Sequence, residues 1–202
     1  MKEYNKTFIM KNRLIRSLWE TEKRETFFDT GEKPKIIYCG GMQHFSNTDG
    51  DFSKEIIDFI ISTTDQYNWI FFGSSPLELK NKVTFIPWVH NYFEYIYKLK
   101  QLKPDIGIAV LNNNNFNKCK SNIKALEYTA LNIPGVYSKI QPYYNLSIRI
   151  DNIDQFKEYI TLLTTNKVYY KKIREKDHNT LKDSLYWDEK YCNEYVKKYL
   201  TF

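Results

Sequence analysis

The chain has 202 residues, 42% of them hydrophobic and 27% charged, with only 7 Gly and 6 Pro. That length suits one ordinary domain with its own core, and the composition excludes a collagenous or broadly disordered chain. Thirty Lys and Arg against 24 Asp and Glu leave a formal charge of +6, but the charges are interspersed without a long basic block, so no nucleic-acid partner is expected.

Residues 1–33 read as a helical lead-in, because Ile9, Leu14, Ile15, Leu18 and Trp19 recur on one helix face. Residues 34–202 read as one Rossmann-like domain with C-terminal helices. Ile36-Ile37-Tyr38-Cys39 is a short apolar run that ends in Gly40-Gly41 and is followed by a polar loop and a helix over Ser53–Ser62, which is strand, glycine turn, helix. Trp69–Gly73 is a second buried strand, Val83–Ile86 a third, and Tyr92–Leu102 a helix with Tyr92, Phe93, Ile96 and Leu99 inward. Asp105–Leu111 is the most strand-like segment, and its unbroken apolar character places it centrally, covered on both faces. A loop over Asn112–Lys120 leads to a helix from about Ser121 to Leu131, a stop at Asn132-Ile133-Pro134, a strand over Val136–Ser138 and a last short strand over 147–150. From Asn152 onward the chain reads as helices, including Phe156–Leu163 and Trp187–Leu200. The alternation predicts an α/β fold, a single doubly wound parallel sheet with N- and C-terminal helical extensions.

Cys39, Cys119 and Cys192 have neither the spacing of a zinc site nor that of a disulfide framework, which fits a reducing cytoplasm. No run of about 18 apolar residues is present, and the start MKEYNKTFIMKNR lacks the apolar stretch of a secretory leader. A cytoplasmic protein with no membrane span, metal or cofactor is expected.

Ligands of open parallel sheets bind beyond the carboxyl ends of the strands, so the loops there are the candidates. In Gly40-Gly41-Met42-Gln43-His44 the two glycines allow close approach of backbone to a phosphate, and His44 lies in the same loop. Taken alone, the pair reads more simply as a tight turn, since it falls short of a full glycine fingerprint. In the stretch from Phe116 to Tyr128, Ser121 or Asn122 can cap the helix and Lys120 stands beside its positive end. A pyrophosphate there would meet backbone donors, a hydroxyl and an ammonium group together. Glu127, almost two turns into the helix, suits a sugar diol, although a capped surface helix with an exposed Glu is the plain alternative. Ser138–Tyr143 reads as a connection. Asp49-Gly50-Asp51 resembles paired carboxylates for a divalent ion, but acids just before a helix read more simply as caps. His90 reads as a helix starter and His178 as exposed.

Taken together, Pro104–Leu111, Phe116-Asn117, Lys120–Lys124, Leu126-Glu127-Tyr128, Ile133-Pro134 and Pro142-Tyr143 resemble the donor-binding half of GT-B glycosyltransferases, most closely those related to the group 1 (GT4-like) enzymes. The similarity covers about residues 34–150. It implies a nucleotide-sugar donor, with Glu127 on the ribose hydroxyls and Lys120, Ser121 and Asn122 on the diphosphate. Gly40 and Gly41 would let the first loop close over the phosphates, and the segment from Val83 to Trp88 would lie near the base. The second acid of the family, eight positions before the ribose-binding Glu, is here Cys119. A complete enzyme of this kind has a second, acceptor-binding domain, so a partner subunit or acceptor domain is expected, with a homo-oligomer as a further arrangement. A non-catalytic nucleotide or nucleotide-sugar binding module is the alternative.

Overall fold

The computed structural model describes residues 12–21, 25–45, 50–188 and 193. Six strands, β1 (Lys35–Gly40), β2 (Asn68–Gly73), β3 (Thr84–Pro87), β4 (Ile106–Ala109), β5 (Gly135–Ser138) and β6 (Arg149–Ile150), form one sheet in the order β3-β2-β1-β4-β5-β6. Every pairing is parallel, as the unbroken apolar runs require. The fold is therefore α/β and Rossmann-like. The chain leaves β1 in one direction through β2 and β3, then returns to place β4 on the other side of β1. This makes a topological switch point between β1 and β4, where such sheets bind ligands.

Alternate strand residues divide the core into two layers. Ile37, Cys39, Ile70 and Phe72 pack with helices α4 (Tyr92–Leu102) and α6 (Ile123–Ala130), whereas Ile36, Tyr38, Trp69 and Phe71 pack with α3 (Lys54–Ser62) and α7 (Ile153–Thr165). The long α8 (Lys167–Leu185) serves both layers: Tyr170 and Ile173 near its start belong to the α3/α7 side, Leu181 and Leu185 near its end to the other. Polar side chains start these helices by accepting orphan backbone N–H groups. Ser53 accepts from Ile56, Asn91 from Phe93 and Glu94, Asn152 from Gln155, and Asn166 from Tyr169.

One close approach fixes the position of α6. A Cβ added at Gly107 of β4 would lie 2.3 Å from the Tyr128 ring, and the Tyr128 hydroxyl donates to the carbonyl of neighbouring Ile108 at 2.8 Å. The aromatic ring thus lies directly on the strand because that strand residue has no side chain.

Several expected elements differ in detail. Among the described residues of the lead-in, α1 (Arg16–Trp19) and α2 (Phe27–Thr30) are helical, and Ile9 lies outside the described residues. Leu14 is not in a helix but forms a parallel bridge with Tyr186: its N–H donates to Leu185 O, and its carbonyl accepts from Trp187 N. Trp187 and Asp188 are accordingly non-helical, and most of the helix expected over Trp187–Leu200 lies outside the described residues. Ile96 and Leu99 of α4 are buried, but Tyr92 is 46% and Phe93 64% exposed. The first turn of α4 overhangs the carboxyl end of the sheet, and Tyr95 turns inward instead. No described helix is long and apolar enough to cross a membrane.

Asp177 of α8 is buried, and its Oδ1 accepts from Ser147 N at 2.8 Å while Oδ2 has no hydrogen-bond partner among the described residues. Burial pushes its pKa above the ordinary carboxyl value of 3.8. An acid whose folded pKa is raised costs stability above that pKa, and the cost fades as both states become protonated at low pH. Asp177→Asn, which keeps the Oδ1 acceptor, is therefore expected to stabilise the protein at neutral pH by about 1 kcal/mol, the low end for an unsatisfied buried polar atom. Chemical denaturation at several pH values checks this, since the gain should vanish on acidification below the ordinary carboxyl range.

Candidate functional site

A cavity of about 250 Å³ opens at the carboxyl end of the sheet. Its floor is Cys39 and Gly40 of β1 with Phe72 of β2; one wall is Trp88, Val89 and His90 from the β3–α4 connection with Tyr92 and Tyr95 of α4; the other is Lys124 and Glu127 of α6. Parallel strands put these loops and helix ends on one edge, and the glycines keep that edge low. Gly73, at the end of β2, has φ +104°, and a Cβ there would lie 2.6 Å from Gly40 O and 3.0 Å from the Trp88 ring. Only glycine adopts that backbone without strain and leaves Trp88 room to sit over the strand ends.

Glu127 is buried at 4% exposure. Its Oε2 accepts from the Tyr95 hydroxyl at 2.9 Å and from Lys124 Nζ at 2.8 Å, and Lys124 Nζ also donates to the Tyr95 oxygen at 3.0 Å. Oε1 has no hydrogen bond to any described residue. The spacing of Lys124 and Glu127, three residues apart, places both on one helix face. Burial by itself would lower the Lys124 pKa, but its neighbours, the Glu127 carboxylate first among them, together outweigh it and hold the ammonium above its ordinary value. Burial raises the Tyr95 phenol well above its usual range and pushes the Cys39 thiol up to about 12. Cys39 is thus a neutral packing group, not a nucleophile.

A second polar cluster lies around Asp51, which is 5% exposed. Its Oδ1 accepts from Asn112 N at 2.6 Å and from Asn117 Nδ2 at 2.7 Å, and its Oδ2 meets His44 Nδ1 at 2.5 Å. Its backbone N–H donates to His44 O, and Asn112 Nδ2 donates to Gly50 O. One carboxylate therefore ties the loop after β1 to the loop after β4 across the switch point. It is not the helix cap expected from sequence, since α3 is capped by Ser53; Asp49 lies outside the described residues.

The residues expected at the phosphates divide between these places. Gly40 lines the cavity through its backbone, but the space of its missing side chain is filled by the Tyr38 phenol, 2.1 Å from an added Cβ. Gly41 is half-buried and His44 belongs to the Asp51 cluster. Neither Ser121 nor Asn122 caps α6 with its side chain: Asn122 is the N-cap residue without such a bond, and Ser121 Oγ instead accepts from Asn12 Nδ2 at 2.7 Å. Lys120 Nζ lies 5.0 Å from the centre of the Phe116 ring, and burial lowers its pKa while Asp51 opposes that shift. Glu127 is the expected site residue that reaches the cavity with its side chain, and the cation beside it is Lys124, not Lys120. His90 is exposed on the cavity rim one residue before the Asn91 cap.

Among the described residues no group of three or more His, Cys, Asp or Glu is arranged to hold a metal ion. The arrangement is that of a half-apolar pocket with an aromatic wall, one carboxylate oxygen free to accept, and one partly buried ammonium. Such a pocket suits a flat ring joined to a hydroxylated group. No protein-family model matches the chain, and no curated protein matches it.

Proposed function

We propose that this chain is the donor-binding domain of a cytoplasmic glycosyltransferase that moves a sugar from a nucleoside-diphosphate sugar to an acceptor. The observation that carries the reading is the free Oε1 of Glu127 in the cavity beyond the strand ends. A carboxylate oxygen that faces an open cavity with no protein donor keeps its lone pairs for a ligand, and a ribose diol supplies two donors. Trp88 and Tyr92 offer the base an aromatic face. The phosphates would extend from the ribose toward the β1–β4 switch point, where Lys120 and His44 flank Asp51. As the glycosidic bond breaks, negative charge grows on the departing diphosphate, and the Lys120 ammonium with N–H groups there would stabilise it without a metal. An acceptor hydroxyl must be held in line with the anomeric carbon, a task for a partner subunit or second domain, or for another copy in a homo-oligomer.

The alternative is a nucleotide-sugar binding module without transfer. It is favoured by one observation: Glu127 is the only carboxylate among the described residues that line the cavity, and Cys119, at the position of the second acid, is exposed. Incubation with uridine, adenosine and guanosine diphosphate-sugars separates the two. The expected result is a rise in melting temperature with one nucleotide, as binding to the native state requires, together with slow release of free nucleoside diphosphate. A shift without release favours the binding module, and no shift with any nucleotide overturns both.

A further inference from the structure

Asp51 accepts three hydrogen bonds, two of them from N–H groups of Asn112 and Asn117. A carboxylate with such partners is an ionised acceptor, so the His44 nitrogen that meets it must carry the proton. We infer that Asp51 is the positioning residue of the switch point: it fixes His44 as the Nδ1–H tautomer and presents the bare Nε2 to a phosphoryl group. Nε2 has no hydrogen bond to any described residue, and Lys120 Nζ has no ion-pair partner among them. Among the described residues, the charged and titratable groups around the imidazole are Asp51 itself, Lys120 and the Tyr143 phenol within electrostatic reach of Asp51, and the Tyr38 phenol, whose ring meets the imidazole edge-on at 6.0 Å.

The step is one proton transfer. A singly protonated terminal phosphoryl group gives its O–H proton to Nε2, Nδ1–H stays bonded to Asp51, and an imidazolium then faces a phosphate dianion. The same geometry of carboxylate, imidazole and reacting group operates wherever an Asp orients a catalytic His. That the phosphoryl group belongs to a nucleoside diphosphate rests on the function proposed above; the tautomer does not.

The test uses the full chain labelled with ¹⁵N-histidine above the titration range of imidazole, and inorganic pyrophosphate as the probe. Long-range ¹H–¹⁵N correlation spectra are expected to show His44 as the Nδ1–H form. In Asp51→Asn the side-chain amide donates to Nδ1, so the proton should move to Nε2, and pyrophosphate affinity should fall about tenfold, as when a charge-assisted contact is lost. His44→Asn offers an N–H where Nδ1–H stood, so it should keep the melting temperature within a few degrees and lose the same affinity; it serves if Asp51→Asn fails to fold. An Nε2–H form in the unmodified protein, or pyrophosphate affinity unchanged in His44→Asn, overturns the inference. A protein that binds a nucleoside diphosphate through Glu127 yet shows the Nε2–H form refutes the Asp51 role alone. One with the expected tautomer and pyrophosphate dependence that ignores every nucleoside diphosphate refutes the nucleotide reading alone.

Discussion

Glu127→Ala is expected to weaken nucleoside diphosphate binding by about 1 to 3 kcal/mol, the usual cost of removing a charged hydrogen-bond partner, and to destabilise the fold at the same time. The second effect follows from what remains: Lys124 loses its carboxylate, and the Tyr95 hydroxyl loses an acceptor. Breaking a buried ion pair costs about 3 to 5 kcal/mol, but the Lys124 side chain keeps 24% of its exposure. Water screens it, so a loss of about 2 kcal/mol is expected. Glu127→Gln separates the two effects. Its amide oxygen still accepts from Tyr95 and its shape fills the wall, so most of the stability should return, whereas the affinity for a diol should not. Isothermal titration and chemical denaturation of both variants measure these quantities. Wild-type affinity in Glu127→Ala would exclude the cavity as a ribose site.

Gly107→Ala is expected to destabilise the protein by about 3 kcal/mol, the upper end of the overpacking range. An added methyl would lie 2.3 Å from one carbon of the Tyr128 ring and 2.5 Å from two others, and that ring is fully buried. The ring cannot swing outward without breaking its hydrogen bond to Ile108 O. Tyr128 follows Glu127 on α6, so any shift that relieves the clash also moves the carboxylate. Nucleotide affinity should therefore fall in this variant even where it is fully folded. In the double variant with Tyr128→Leu, the smaller side chain relieves the clash, and the two costs should sum to less than their separate values by at least about 0.5 kcal/mol. Strict additivity by denaturant melts would show that the strand and helix are not coupled here.

The sheet was largely legible in the sequence because parallel strands are buried on both faces and leave apolar runs between glycine and proline breaks. Tyr92–Leu102 was legible to its ends, since Asn91 caps it and Lys103 with Pro104 stops it. Orientation at the strand ends was not: Tyr92 shares the spacing of Ile96 and Leu99, but spacing carries no information about where a helix runs past the sheet. Glu127 could be singled out by its place in the helix, and Lys124 by its spacing from Glu127. Asp51 could not, because its partners lie 61 and 66 residues away at Asn112 and Asn117. Local pattern suggested a cap there, and the chain used Ser53 instead. Gly40 shows the same limit, as its role toward Tyr38 depends on a ring two residues back on the same face.

The bridge between Leu14 and Tyr186 has a mechanical consequence. Its two segments run parallel, so tension applied along the polypeptide at residues before Leu14 and after Trp187 pulls them in opposite directions along their length. The Leu14–Leu185 and Leu14–Trp187 hydrogen bonds are then loaded in shear, together, rather than peeled one after another. The Arg13 guanidinium, which donates to the carbonyls of Asp183 and Tyr186, resists the same sliding. A tether attached at these ends would thus meet a clasp before it could reach the sheet.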